Sequence, residues 1–189
     1  MNILIIKSLE IPPQASPVQG EEVQKWTRPK VNCMKLNCDG ALNIAGAVAA
    51  TGVVVRNNMG SFVAAEGRRY QHVIDPGITE LLACRDAVFM ARARGWTHVE
   101  VETDCQSVVT AWTNDKEQRS AGFPLVLEMK SCISTFQGFS FSFVRRTANK
   151  AAHACAREAL SLGSPDMLYE TAPGFLIDII QSNRLSSYE

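Results

Sequence analysis

Residues 34–41 read MKLNCDGA, and this stretch decides the fold prediction. Positions 34, 36 and 38 carry apolar side chains and alternate with polar ones, which is the two-residue period of a strand with one buried face. We interpret Asp39 as the end of this strand, with Gly40 after it. A carboxylate there is a candidate functional group, although aspartate beside glycine is also a common turn residue.

The elements downstream alternate between strand and helix signals. Two β-prone runs at 52–55 and 62–65 flank the turn residues NNMG, which predicts a hairpin. Residues 78–94 have a helical composition with Gly95 as a stop, and residues 97–103 alternate as a fourth strand. Further predicted elements are helices over 105–113 and 124–136, a strand over 139–143, and an alanine-rich helix over 148–162.

This order, β-β-β-α-β-α-α-β-α, predicts an α/β fold. Three antiparallel strands followed by parallel additions through helical crossovers make a five-stranded mixed sheet flanked by helices. We assign residues 31–163 to this domain, residues 1–30 to an N-terminal arm or linker, and residues 164–189 to a tail that holds a candidate docking helix. Trp26 and Pro29 are candidates to attach the end of the arm to the domain.

Composition limits the functional class. The formal net charge is zero, so there is no global attraction to nucleic acid, although local basic patches remain. The six cysteines show no CxxC spacing and predict buried, reduced thiols. We predict no signal peptide and no membrane span, and we expect an intracellular monomer in the nucleus or the cytoplasm.

Three acidic residues stand where few structural roles need them: Asp39, Glu80 and Asp104. Glu80 begins a helical stripe that continues through Cys84, so it starts the face that packs on the sheet. If the strands of Asp39 and Asp104 are parallel neighbours, their carboxyl ends meet at the edge where open α/β sheets bind ligands. Converging carboxylates are costly unless a cation neutralises them, which favours a divalent-metal site and phosphoryl chemistry.

Each acid also has an ordinary alternative. Asp104 is a suitable N-cap for the helix that follows it. Glu80 suits the first turn of a helix, with its carboxylate in solvent.

The ordered motifs resemble a ribonuclease H type domain, in the reverse-transcriptase-like form common in plant retroelement-derived proteins. The resemblance covers about residues 34–162. The motifs are KLNCDGA (35–41), GVVVRN (52–57), TELLA (79–83), GW (95–96), VEVETD (99–104), SVV (107–109) and VRRTANKAAH (144–153).

The resemblance implies hydrolysis of the RNA strand of RNA–DNA hybrids with two Mg²⁺ or Mn²⁺ ions held by four carboxylates. Asp39, Glu80 and Asp104 match the first three positions, with Asp39 shared by both ions and the other two on the leaving-group ion. The fourth position holds His153 instead of aspartate. Imidazole is a softer ligand without negative charge, so we expect slow or Mn²⁺-dependent cleavage. Alternatively, His153 orients water or phosphate, or is a surface histidine.

Five further residues are candidate nucleic-acid contacts. Hybrids are read by shape and by 2′-hydroxyl groups, which small polar groups near the metals can contact. Asn43 and Asn149 are suitable, although a helix cap is the favoured role of Asn149. The cations Arg145, Arg146 and Lys150 are suited to phosphates, or they are ordinary solvated charges.

Three functions therefore compete. The first is a metal-dependent endoribonuclease acting on hybrids, and the second is a catalytically weak or inactive nucleic-acid-binding module derived from a retroelement. The third is a structural interaction domain. Three retained acids favour the first, while the neutral charge and His153 favour the others.

Overall fold

The computed structural model describes residues 24–114 and 120–185. Within these ranges the chain forms six strands, five α-helices and a short 3₁₀ turn at Ile133–Thr135. The elements are β1 (Met34–Asn43), β2 (Val48–Arg56), β3 (Phe62–Gln71), α1 (Pro76–Ala93), β4 (His98–Thr103), α2 (Gln106–Thr113), α3 (Phe123–Cys132), β5 (Gly138–Phe143), α4 (Lys150–Leu162), β6 (Asp166–Tyr169) and α5 (Gly174–Leu185).

The strands form one mixed sheet in the order β5-β4-β1-β2-β3-β6. The first three strands are an antiparallel meander, and beyond β1 the sheet continues with β4 paired parallel to β1 and β5 paired parallel to β4, as the helical crossovers predict. The predicted α/β fold class is confirmed. The predicted number of five strands was wrong, because β6 pairs antiparallel with β3. A strand of four residues is too short to give a periodic signal.

Helices cover both faces of the sheet. The alternation in β1 sends Leu36 and Cys38 into a core that also contains residues of α1, α2 and α3. On the opposite face, α4 crosses β2 at Gly52, where a Cβ would lie 2.6 Å from the backbone oxygen of Ala152. Glycine is therefore required at this crossing, and the close approach fixes where α4 presents its side chains.

The segments on either side of the predicted domain also pack on the second face. Leu176 and Ile180 of α5 are buried beside Val54 of β2. Trp26 of the arm is only 2% exposed, and Pro29 is also buried. Residues 1–23 of the predicted arm and residues 186–189 of the tail lie outside the described ranges.

The cysteine prediction is confirmed. All six thiols are free, and five of the six are buried. Across residues 24–114 and 120–185, no helix has both the length and the apolar character needed to cross a bilayer.

Candidate metal centre and active site

The parallel register of β1 and β4 brings two carboxylates together. Their ladder ends with Cys38 opposite Thr103, so Asp39 and Asp104 occupy the next step. Asp104 lies just beyond β4, but β1 continues to Asn43 because it still pairs with β2. The prediction that Asp39 ends its strand was therefore wrong, and so was the alternative that it is a turn residue. The carboxyl ends of the parallel ladder do meet at one edge.

Glu80 reaches the same edge from α1. Asp75 caps this helix by accepting from the backbone N–H of Ile78 at 2.9 Å, so α1 begins at Pro76, two residues before the predicted start. Glu80 thus lies beyond the first turn, and the N–H of Gly40 donates to its carboxylate. Its Oε2 is buried and has no hydrogen-bond partner among residues 24–114 and 120–185, which argues against a carboxylate held in solvent.

The three acids form one cluster in which one carboxylate oxygen from each lies within 4.8 Å of the others. Burial raises the pKa of Glu80 to about 8, and the charges of Asp39 and Asp104 add to this effect. Burial and the charge of Asp104 raise the pKa of Asp39 to about 6, although His153 and Arg146 act in the opposite direction. The cluster therefore resists full ionisation unless more positive charge enters it.

A divalent cation fits this donor set. Carboxylate oxygens are the ligands that hard divalent ions prefer. The buried Oε2 of Glu80 is an available metal-ligand atom, because no group in the described part of the chain bonds to it. The added positive charge would also relieve the repulsion that raises the two pKa values.

His153 lies beside this cluster. It projects from the first turns of α4, and its Nδ1 is 2.7 Å from Oδ2 of Asp39. The side chain is 29% exposed. The structure therefore gives His153 a specific partner within the cluster, while the side chain stays partly exposed at the surface.

Arg146 faces the same acids from the loop before α4. Its Nη1 is 3.9 Å from Oδ2 of Asp104, and its Nη2 is 3.0 and 3.1 Å from the two ring nitrogens of His153. Near-equal distances to both nitrogens indicate contact with the ring as a whole instead of one directed hydrogen bond. Arg146 is 65% exposed, so it both borders the acids and remains accessible to a phosphate.

Asn149 has a different role from the predicted one. It occupies the N-cap position of α4, but its side chain makes no capping hydrogen bond. Instead, its Nδ2 donates to the backbone oxygen of Cys38 and to Oδ1 of Asp104, both at 3.0 Å. The residue is completely buried, which leaves its side chain no surface for contact with nucleic acid. We assign it to positioning Asp104.

The remaining candidates surround the cluster at the surface. Arg145 and Lys150 are exposed on either side of Asn149. Asn43 lies on the same strand face as Asp39, about 13 Å further along β1. It is exposed, and its Oδ1 accepts from the N–H of Gly46 at 3.1 Å, which shapes the turn into β2.

Sequence reasoning missed two backbone groups of this site, the carbonyl of Cys38 and the N–H of Gly40. No residue-type signal could have found them, because every residue carries these atoms.

The fold and the acidic cluster define a ribonuclease H type domain. The sequence model described as reverse transcriptase-like matches residues 37–159. The chain belongs to this family. No curated protein sequence matches it significantly.

Solved structures of ribonucleases H share the fold. RNase H1 from the halophilic archaeon Halobacterium salinarum is 26% identical, with a TM-score of 0.60, over 68% of this chain and 97% of that chain. The N-terminal RNase H domain of a Mycobacterium tuberculosis protein is 18% identical, with a TM-score of 0.61, over 68% and 93%. LC11-RNase H1 in complex with an RNA/DNA hybrid is 17% identical, with a TM-score of 0.55, over 67% and 95%. The family supports nuclease and nucleic-acid-binding chemistry.

Proposed function

We propose that this domain hydrolyses the RNA strand of RNA–DNA hybrids as an endonuclease. Asp39, Glu80 and Asp104 would hold two Mg²⁺ or Mn²⁺ ions. One observation carries the proposal: three carboxylates lie within 4.8 Å of one another at the edge of a ribonuclease H fold. The hybrid bound to LC11-RNase H1, which has the same fold, supports this choice of substrate.

The residues of the chain have separable tasks in this reaction. Divalent ions held here would supply Lewis acidity and lower the pKa of a water at the scissile phosphodiester. Asn149 holds Oδ1 of Asp104, and the N–H of Gly40 holds the carboxylate of Glu80 while Oε2 stays available. Such supporting hydrogen bonds orient ligands before a cation or a substrate arrives.

Phosphate contacts are the task that we propose for the exposed residues. Arg145 and Lys150 lie at the surface beside Arg146, which itself borders the cluster. Cations so placed would fix the backbone of a nucleic acid over the carboxylates without reading its sequence. Asn43 is suited to 2′-hydroxyl groups further along the same strand face.

We propose that His153 weakens the reaction. It brings no negative charge to the fourth position, and its Nδ1 contacts an oxygen of Asp39 that a cation would otherwise use. This competition supports slow or Mn²⁺-dependent cleavage.

A cleavage assay with a labelled RNA–DNA hybrid tests the proposal. The native chain should cut the RNA strand in Mn²⁺, more slowly in Mg²⁺, and not in EDTA. Asp39→Asn should abolish cutting. Asp166→Asn is a matched control because its carboxylate is exposed on β6 and lies outside the acidic cluster. Equal cleavage by the native and Asp39→Asn proteins would contradict the proposal.

A second candidate is a catalytically weak nucleic-acid-binding module, descended from a retroelement. It is favoured by the contacts of His153 with Asp39 and of Arg146 with Asp104, which engage two of the three acids without a metal. Hybrid binding in EDTA, together with no cleavage in Mn²⁺, would favour this candidate over the first. Absence of both binding and cleavage would exclude both candidates.

A further inference from the structure

The loop that connects β5 to α4, residues 144–149, carries Arg146 and Asn149 to the acidic cluster; we call it the site loop. Two short turns close within it, through hydrogen bonds from Ala148 N–H to Arg145 O at 2.8 Å and from Asn149 N–H to Arg146 O at 3.0 Å. The side chains of Arg146 and Asn149 form the flank of the site loop that contacts the acids, and the N–H of Arg145 and the hydroxyl of Thr147 form its other flank.

The last residues of the N-terminal arm contact that other flank. The side chain of Gln24 accepts a hydrogen bond from the N–H of Arg145 at 2.6 Å through its Oε1. The backbone oxygen of Gln24 accepts from Oγ1 of Thr147 at 2.7 Å. Trp26 is buried against both ends of the site loop, at Val144 and Ala148.

The arm is fixed in turn to the sheet beneath the cluster. Nε1 of Trp26 donates to Oδ1 of Asn37 at 2.9 Å, and the guanidinium of Arg56 lies 3.7 Å from the centre of its ring. Lys35 Nζ donates to the backbone oxygen of Thr27 at 2.9 Å. Asn37 precedes Asp39 by two residues and so shares its strand face. The arm therefore contacts both the strand that carries Asp39 and the site loop, whose Asn149 bonds to Asp104.

We propose that residues 24–30 of the arm are a positioning element of the active site. A loop keeps one conformation only where its contacts outweigh the entropy of ordering it. The arm supplies two hydrogen bonds and a buried aromatic surface to the site loop. These contacts add to the two internal turns and to the bonds that Asn149 makes with Cys38 and Asp104. The sequence model of the family begins at residue 37, after this segment.

The inference that the arm affects metal binding rests on the proposed function, but the inference that it orders the site loop does not. Two measurements separate them. Amide hydrogen exchange at Arg145, Ala148 and Asn149 reports on the site loop without any metal. Calorimetric titration with Mn²⁺ reports on the carboxylates that the site loop supports.

Matched variants exist for this test. Thr147→Val removes the hydroxyl that donates to Gln24, and Thr147→Ser retains it. Gln24→Leu removes the acceptor for Arg145. Thr135→Val is the control, because it removes a similar hydroxyl, bonded to the Cys132 backbone oxygen, from the turn after α3. Thermal melting of each variant identifies any that has lost its fold.

We expect Thr147→Val and Gln24→Leu to speed exchange in the site loop and to weaken Mn²⁺ binding about two- to tenfold, the equivalent of one hydrogen bond. Thr147→Ser should restore both values, and Thr135→Val should change neither. Exchange rates in Thr147→Val and Gln24→Leu that match those of Thr135→Val would overturn the proposal. Faster exchange with unchanged Mn²⁺ affinity would overturn its extension to the metal centre. A native protein that cleaves no hybrid would count against the proposed function alone.

Discussion

Replacing His153 with aspartate tests most directly the effect of a histidine at the fourth metal-ligand position. In both side chains the contacting atom is bonded to Cγ, so an oxygen of the introduced carboxylate would lie near the present position of Nδ1. That position is 2.7 Å from Oδ2 of Asp39. The substitution therefore exchanges a hydrogen bond for a repulsion between two carboxylates, unless a cation lies between them.

The magnitude follows from the distance. Two like charges relaxed to about 4 Å repel by about 4 kcal/mol at the effective dielectric constant of a partly exposed site. The pKa of Asp39 is already raised to about 6, so uptake of a proton by this carboxyl at pH 7 costs only about 1.4 kcal/mol, and this smaller value is the ceiling on the loss of stability. For a chain of this size, about 1.4 kcal/mol lowers the melting temperature by about 4 °C. A divalent ion present at one hundred times its Kd stabilises the folded protein by about 2.7 kcal/mol.

The assay pairs melting curves with cleavage rates. His153→Asp should melt about 4 °C below the native protein in EDTA and recover that loss in Mg²⁺. Its single-turnover cleavage in Mg²⁺ should rise about tenfold or more, the scale on which changes around a metal affect activity. His153→Asn, neutral and similar in size to aspartate, should show neither the destabilisation by like charges nor the gain. Equally strong Mg²⁺ cleavage by the native and His153→Asp proteins would refute the proposal that His153 weakens the reaction.

Three other predictions concern the cluster and its support. In EDTA, the free energy of unfolding should fall as pH rises from about 5 to about 8, because the raised pKa values of Asp39 and Glu80 make the folded state bind more protons than the unfolded chain. Urea unfolding at a series of pH values should show a weaker pH dependence for Glu80→Gln. An equally steep pH dependence in this variant would contradict the role given to Glu80. Asn149→Ala should cost about 1–3 kcal/mol of stability, because it leaves the backbone oxygen of Cys38 and Oδ1 of Asp104 without their donor. It should also weaken Mn²⁺ binding about tenfold in calorimetry, and an unchanged Mn²⁺ affinity would argue against a positioning role for Asn149. Gly52→Ala should destabilise the protein by about 1–3 kcal/mol in thermal melting because its Cβ collides with α4. Gly174→Ala should have little effect, because a Cβ there would meet no atom of the described residues within 4 Å, and similar losses in both variants would refute the close crossing.

Much of the architecture could be predicted from local patterns. The alternation through residues 34–38 and the turn residues at 57–60 indicate the first strand and the hairpin, because side-chain period and turn chemistry report on nearby backbone. The parallel pairing needed to bring Asp39 and Asp104 together follows from the helical crossover between their strands. The short β6 gave no such pattern and was missed.

The sequence alone determined the class of fold and the three acids that meet at one edge, since both depend on periodicities within single elements and on the rules that connect neighbouring ones. Only the tertiary structure decided how the site is supported. Asn149 reaches Asp104 instead of capping its own helix, and Gln24 bonds to Arg145 across 121 positions of the chain. Such contacts depend on the packing of elements far apart in sequence, and a side chain's own residue type does not specify which distant partner it will meet.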